Sequence, residues 1–255
     1  MQEPTNFKRE LGLLDSTMIV IGSMIGSGIF IVSADIARTV GSPGYLLLVW
    51  LITGIITIIA ALSYGELAGM MPHAGGQYVY LREAYNPLIG FLYGWTLFLV
   101  IQTGTIAAVG VAFAKFTGVL IPWFSETHLL FVLFGLKITA AQILAIISIL
   151  ILTLVNIWGL KEGKIVQNIF TFTKTIALFG LILLGIFIGK NSMAIAANFS
   201  NFWNASWTHI ADGKVISIES LSGIAIFAAV GAAMVGSLFS SDAWNNITFT
   251  AGEVV

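Results

Sequence analysis

Two short stretches hold residue types that lipid does not favour. GSMIGSGIF, residues 22–30, sets Gly22, Gly26, Gly28, Ser23 and Ser27 inside an apolar segment. LFSSDAWNN, residues 238–246, closes a long apolar run with Ser240, Ser241 and Asp242, then Trp244, Asn245 and Asn246. In hydrocarbon each unpaired backbone N–H or C=O costs several kcal/mol, so irregular backbone survives there only where it lines a cavity. A helix restarting near Ile29 would offer the N–H groups of Ser27, Gly28 and Ile29, and a positive dipole end, to a carboxylate. A helix stopping near Phe239 and Ser240 would offer carbonyl oxygens to an ammonium group. The two together describe a site for a zwitterion. Each stretch also has a plainer reading. The spacing of Gly22 and Gly26 suits close helix packing, and LFSSDAWNN suits a helix end at the membrane interface with Trp244 as a belt residue.

Lys174 is the deepest cation, about ten residues into the fifth predicted span, in NIFTFTKTIALFG. A lysine at that depth costs about 2.5–3.5 kcal/mol on insertion scales, so it points to function. Asp242 is the other deep charge. Glu66, near the end of its span, suits a solvated or capping role equally well. The spans hold no nucleophile–base pair, no paired carboxylates and no phosphate-binding glycine loop, which argues against an enzyme. All three histidines, His73, His128 and His209, fall in predicted loops, so no histidine metal site is expected in the spans and no cofactor is indicated.

These residues need membrane helices to position them, and the composition supplies them. Of 255 residues, 58% are hydrophobic and 9% charged, against about 25% charged in a soluble domain. The class is an all-α polytopic membrane protein. The net charge of −1 gives no nucleic-acid footprint, and the lack of cysteine removes disulfides and thiolate chemistry. Six spans are predicted, at roughly 14–39, 45–71, 88–120, 140–158, 165–188 and 220–255, within a single transmembrane domain covering 1–255. Asp15 and Ser16 are the candidate N-caps of the first, and Pro72 stops the second. The third exceeds the ~20 residues a perpendicular helix needs, so tilt or a protruding end is expected. Residues 73–86 read as a short interfacial helix with Tyr78 and Tyr85 on it. Residues 189–217 read as a polar loop with Trp203 and Trp207 at an interface. The N-terminus has no signal-peptide pattern, so the first span is expected to be retained.

Charge barely decides orientation. With the N-terminus inside, Lys8, Arg9, Arg82, Lys161 and Lys164 are cytoplasmic, and Arg38, Lys115, Lys137, Lys190 and Lys214 lie opposite. The cytoplasmic N-terminus is preferred because Lys8 and Arg9 closely precede the first span.

A resemblance adds to this reading. GSMIGSGIF, SYGELAGMMPHAGGQYVYL (residues 63–81) and LFSSDAWNNITFTAGE (residues 238–253) resemble motifs of the amino acid–polyamine–organocation superfamily, in particular bacterial relatives of L-type amino acid transporters. GSMIGSGIF, and GAAMVGSLF at residues 231–239, also share a Gly-Ser before an aromatic, as matched positions of inverted repeats can. The resemblance implies the first six spans of a LeuT-type (5+5 inverted repeat) transporter with discontinuous first and sixth helices. It implies an amino acid permease or exchanger working by alternating access, sodium-independent, in the plasma or inner membrane, with small neutral amino acids as the substrate class. Ser27, Gly28 and Ile29 would hold the substrate carboxylate. Carbonyls at Met24, Phe239, Ser240 and Asp242 would hold its ammonium, Phe239 would gate the site from outside, and Thr105 would face the side-chain pocket. Lys174 matches the lysine that stands where sodium-coupled relatives hold an ion. Ser241 and Ala243 replace the family's usual Tyr and Gly, which puts the ease of unwinding in question. The lack of Cys argues against a disulfide-linked heavy chain. The chain ends within the second half of the sixth span, so it reads as an N-terminal portion that needs C-terminal spans for transport. Two alternatives stay open. One is a truncated or partner-dependent membrane module without transport of its own; the other is a sodium-coupled symporter.

Overall fold

The computed structural model describes residues 9–133, 135–211 and 214–255. Lys8 lies outside these residues, as does the side chain of Lys161. Six helical stretches are long and apolar enough to cross a membrane: Leu13–Val40, Pro43–Met70, Pro87–Leu120, Ala140–Trp158, Gly163–Phe187 and Ile224–Glu253. The chain forms two compact units, Met1–Gly76 with Val166–Val255, and Gln77–Ile165.

In the first unit, α1 (Leu13–Met24) and α2 (Gly28–Val40) cover the first stretch, and α3 (Pro43–Met70) follows. With 28 residues, α3 runs about 42 Å, longer than the ~30 Å hydrocarbon core. The turn between α2 and α3 is built by residue type. Gly41 takes a left-handed conformation (φ 56°) that ends α2, Ser42 caps α3, and Pro43 occupies its first turn. The core is a seam between α2, α3 and α10 (Ile224–Ser240): Ile36, Val40, Val49 and Ala233 are buried, with Val32, Trp50 and Met234 packed around them. Small and β-branched residues let the three helices approach. A Cβ on Gly236 would come within 2.9 Å of Val32.

The start of α1 differs from expectation. Gly12, not Asp15 or Ser16, is the N-cap, and the Asp15 carboxylate accepts the Gly12 N–H at 3.3 Å from the first turn. The segment before it is held by the far end of the chain. The amides of Glu10 and Leu11 both donate to Glu253 O at 3.0 Å, Val255 N donates back to Leu11 O, and Leu11 is fully buried.

Residues 189–217 are not the expected loop. They contain α9 (Ser192–Ser200) and most of an antiparallel hairpin, β3 (Ser206–Ala211) with β4 (Lys214–Ser220). Asn191 caps α9 by accepting from Met193 N and Ala194 N. The alternation in VISIES is a strand pattern that the polar composition masks. This region grips the α2–α3 turn. Phe202 O accepts from Ser42 Oγ at 2.6 Å and from Gly44 N at 2.8 Å, and Trp203 meets Tyr45 edge-on at 5.2 Å.

In the second unit, α4 (Gln77–Ala84) packs on α5 (Pro87–Thr96), where Gly90 faces Arg82. Asn86 caps α5 through Ile89 N. The long third span is not one regular helix: a π-helical segment, Leu97–Gln102, joins α5 to α6 (Thr103–Leu120). A hairpin, β1 (Leu129–Leu133) with β2 (Leu136–Thr139), leads to α7 (Ala140–Trp158), which Thr139 and Gln142 cap reciprocally. Ala114 on α6 meets Ala141 and Ala145 on α7. Then α8 (Leu160–Phe187) runs from this unit into the first.

Ser42 both caps α3 and ties it to Phe202. Ser42→Ala is therefore expected to cost about 1–2 kcal/mol, the upper range for a lost cap. Thermal unfolding in detergent would measure this loss, and hydrogen exchange would show faster opening at Gly44 and Tyr45 than elsewhere.

Candidate functional site

Helix α1 ends because its ladder is diverted. Ile25 is extended (φ −77°, ψ 91°), and the Gly26 amide donates to Met24 O at 3.0 Å, two residues back. In a continuing helix that amide would serve Gly22 O. Gly22 O is left without a helical donor, and Lys174 Nζ on α8 fills the gap at 2.7 Å. The bond is charge-assisted, about twice as strong as a neutral one.

Lys174 reaches this oxygen because α8 lies close against α1 there. A Cβ on Gly22 would sit 2.0 Å from Thr171 Oγ1 and 2.4 Å from Gln167 Nε2. Two further bonds form lower rungs: Thr171 Oγ1 donates to Met18 O at 3.2 Å, and Asn168 Nδ2 donates to Asp15 Oδ1 at 3.1 Å. Asn168, Thr171 and Lys174 are spaced by three, so they share one face of α8. The two glycines read as a packing pair behave differently. Gly22 makes the close approach, while Gly26 is exposed, with nothing within 4 Å of an added Cβ.

Past the break, Ser27 is the N-cap of α2. Among the described residues no backbone acceptor receives the amides of Ser27, Gly28 or Ile29. Ser27 is exposed, and Met24, Gly28 and Ile29 are half-buried.

Helix α10 closes with Ser241 N donating to Ser237 O (3.0 Å) and Leu238 O (3.1 Å), and Asp242 N to Phe239 O (3.4 Å). Ala243 then takes φ 70° and ψ 5°, the one non-glycine with positive φ among the described residues. Glycine is therefore not required at this turn, though an L-residue there costs about 1–2 kcal/mol. A 3₁₀ segment, Trp244–Glu253, follows. The carbonyls of Ser240 and Asp242 accept no backbone hydrogen bond among the described residues, while Met24 O accepts one and Phe239 O two.

The two helix ends touch. A Cβ on Gly28 would lie 2.5 Å from Ser240 Cβ and 3.2 Å from its Cα. Beside them, on the α3 side, is a cavity of about 320 Å³ lined by Thr57, Ala60, Phe239, Asp242 and Trp244 among others. Phe239 is 73% exposed and Asp242 is exposed. Tyr64 meets Trp244 edge-on at 5.0 Å. Thr105 belongs to the second unit, exposed on α6 just beyond the π-helical segment. Among the described residues no cluster of three or more His, Asp or Glu could hold a metal.

The lower rungs Thr171 and Asn168 were not singled out from the sequence, although QNIFTFTK carries their spacing. Ser237 was missed too. It is fully buried and bonded to Thr53 on α3.

Six long apolar helices, with unpaired backbone groups gathered where α2 begins and α10 ends, define a multi-pass membrane protein. The chain belongs to the amino acid permease family, whose model matches residues 11–254. It is 30% identical over 252 residues to the serine/threonine exchanger SteT of Bacillus subtilis, covering 99% of this chain and 49% of that protein. It is 28% identical over 253 residues to the b(0,+)-type amino acid transporter 1 of Mus musculus, covering 98% and 46%. It is 37% identical over 179 residues to the human large neutral amino acids transporter small subunit 2, covering 70% and 32%. The chain thus spans about half the length of the first two. The family and these relatives are transporters, not enzymes.

Two substitutions test the geometry. Gly22→Ala should drive α8 off α1 and cost about 1–3 kcal/mol, the usual range for overpacking. Ala243→Gly should raise stability by about 1 kcal/mol or slightly less, since glycine removes the left-handed strain but adds unfolded-state entropy. Unfolding midpoints in one detergent, compared across the three proteins, would check both signs.

Proposed function

We propose that this chain forms the first six spans of a LeuT-type amino acid transporter, of which α1–α2 and α10 with its 3₁₀ extension are the discontinuous first and sixth helices. The carrying observation is the contact of Gly28 with Ser240. It supports the reading by bringing the start of α2, whose first amides meet no backbone acceptor among the described residues, near the end of α10, where the carbonyls of Ser240 and Asp242 accept no backbone bond. In this reading the amides of Ser27, Gly28 and Ile29 bind the carboxylate. The carbonyls of Met24, Phe239, Ser240 and Asp242 bind the ammonium, Phe239 gates the site from outside, and Thr105 faces the substrate side chain. The mechanism is alternating access, completed by C-terminal spans, with the N-terminus in the cytoplasm of a plasma or inner membrane. The names of the relatives, a serine/threonine exchanger and a large neutral amino acids transporter among them, support neutral amino acids as substrates.

Lys174 gives the mechanism its coupling element. Its Nζ already donates to the carbonyl that the end of α1 exposes, so a sodium ion at that place would compete with the lysine for the same oxygen. Transport is therefore proposed to be sodium-independent, with Lys174 tying α1 to α8 in one state of the cycle. In the transporter completed by its C-terminal spans, Lys174→Ala should abolish uptake of labelled amino acid while the protein still reaches the membrane. Unchanged uptake would remove the role given to Lys174, and uptake that requires sodium would favour a symporter. A second reading, a module that acts only with a separate chain, has its own test. Uptake on co-expression with C-terminal spans, and none without them, distinguishes that arrangement from a chain with no transport role.

A further inference from the structure

We infer that Thr53 is a positioning residue for the end of α10 and, on the transporter reading above, for the ammonium pole of the substrate site. Thr53 and Ser237 are both 0% exposed, and their hydroxyl oxygens lie 2.6 Å apart. Ser237 Oγ also donates to Met234 O at 3.1 Å. A serine hydroxyl has one proton, so with that proton on Met234 O, Thr53 is the donor of the pair. Thr53 stands one helical turn beyond Val49, and Ser237 one turn beyond Ala233, so the pair continues the buried α3–α10 seam.

Ser237 is where the last turn of α10 is attached. Its carbonyl accepts Ser241 N at 3.0 Å and Ser240 Oγ at 3.1 Å. Its side chain is held from α3 by Thr53. Ser240, one of the two residues so attached, touches Gly28. The chain of bonds therefore runs from Thr53 through Ser237 to the helix end where the carbonyls of Ser240 and Asp242 accept no backbone bond among the described residues. A terminal turn of a helix frays unless something outside it fixes the last bonds. A buried hydroxyl pair adds little net stability over an apolar pair of the same shape, whereas its directional bond sets where this helix stops.

The chain has no cysteine, so a single engineered thiol reports on this turn without background. Ser241→Cys would be placed in the full chain in lipid nanodiscs and its modification rate by a water-soluble thiol reagent measured, with Thr39→Cys as a control. Thr53→Val should raise the rate at the residue 241 thiol about fivefold, the shift expected from losing one hydrogen bond, and leave the control unchanged. Thr53→Ser, which keeps the donor, should restore the original rate. If Thr53→Val does not reach the membrane, Ser237→Ala gives the same readout. An unchanged rate at the residue 241 thiol, or an equal rise at both positions, would overturn the inference. In the completed transporter, Thr53→Val should raise KM for labelled L-serine and L-leucine with kcat nearly kept, and Thr53→Ser should reverse this. A labelling effect at residue 241 with no uptake by the unsubstituted protein would uphold the positioning of α10 while removing the transporter reading. A labelling effect with normal KM would overturn the link to the substrate.

Discussion

Hydrocarbon supplies no hydrogen bonds, and every backbone group left over at a helix end must find one within the protein or line a wet cavity. The end of α1 illustrates this constraint. When the Gly26 amide turns back to Met24 O, Gly22 O loses its donor, and a side chain from another helix must replace it. Lys174 does so with a charge. A neutral donor would satisfy the oxygen equally well by count. The ammonium also offsets the negative partial charge that gathers at a helix C-terminus.

The rest of the α1–α8 contact follows from that one bond. Lys174 reaches Gly22 O only if α8 lies close, and closeness requires no side chain at residue 22. With the helices that near, Thr171 and Asn168 fall opposite Met18 and Asp15 and bond to them. The three donors make the interface directional, where lipid-facing leucines and isoleucines would slide. The same logic operates at the other helix end. There, Ser237 carries the terminal bonds of α10 and is itself held from α3.

The contrast between the two helix ends has a physical basis. At α2 the groups left over are donors, and at α10 they are acceptors, because one is an N-terminus and the other a C-terminus. Bringing Gly28 against Ser240 sets opposite partial charges side by side. Their mutual approach depends on glycine at 28, since a Cβ there would overlap Ser240.

Composition and hydropathy alone determined the membrane class and six apolar stretches, because lipid imposes length and apolarity on each segment separately. Glycines, serines and a deep lysine were also legible, since each is costly or conspicuous in such a segment. Partnership was not. That Lys174 serves Gly22, that Gly22 packs on Thr171 while Gly26 stays open, and that Ser237 rests on Thr53 depend on groups 152, 149 and 184 residues apart meeting in space. Nor did residues 189–217 reveal α9 and a hairpin, because a polar composition conceals the period-two pattern of the strands. Ala243 carries the same lesson: its intrinsic preference opposes a left-handed turn, yet it takes φ 70° where α10 gives way to the 3₁₀ segment. Local sequence set which segments enter the membrane; which backbone groups are left over, and what meets them, was decided only when the helices packed.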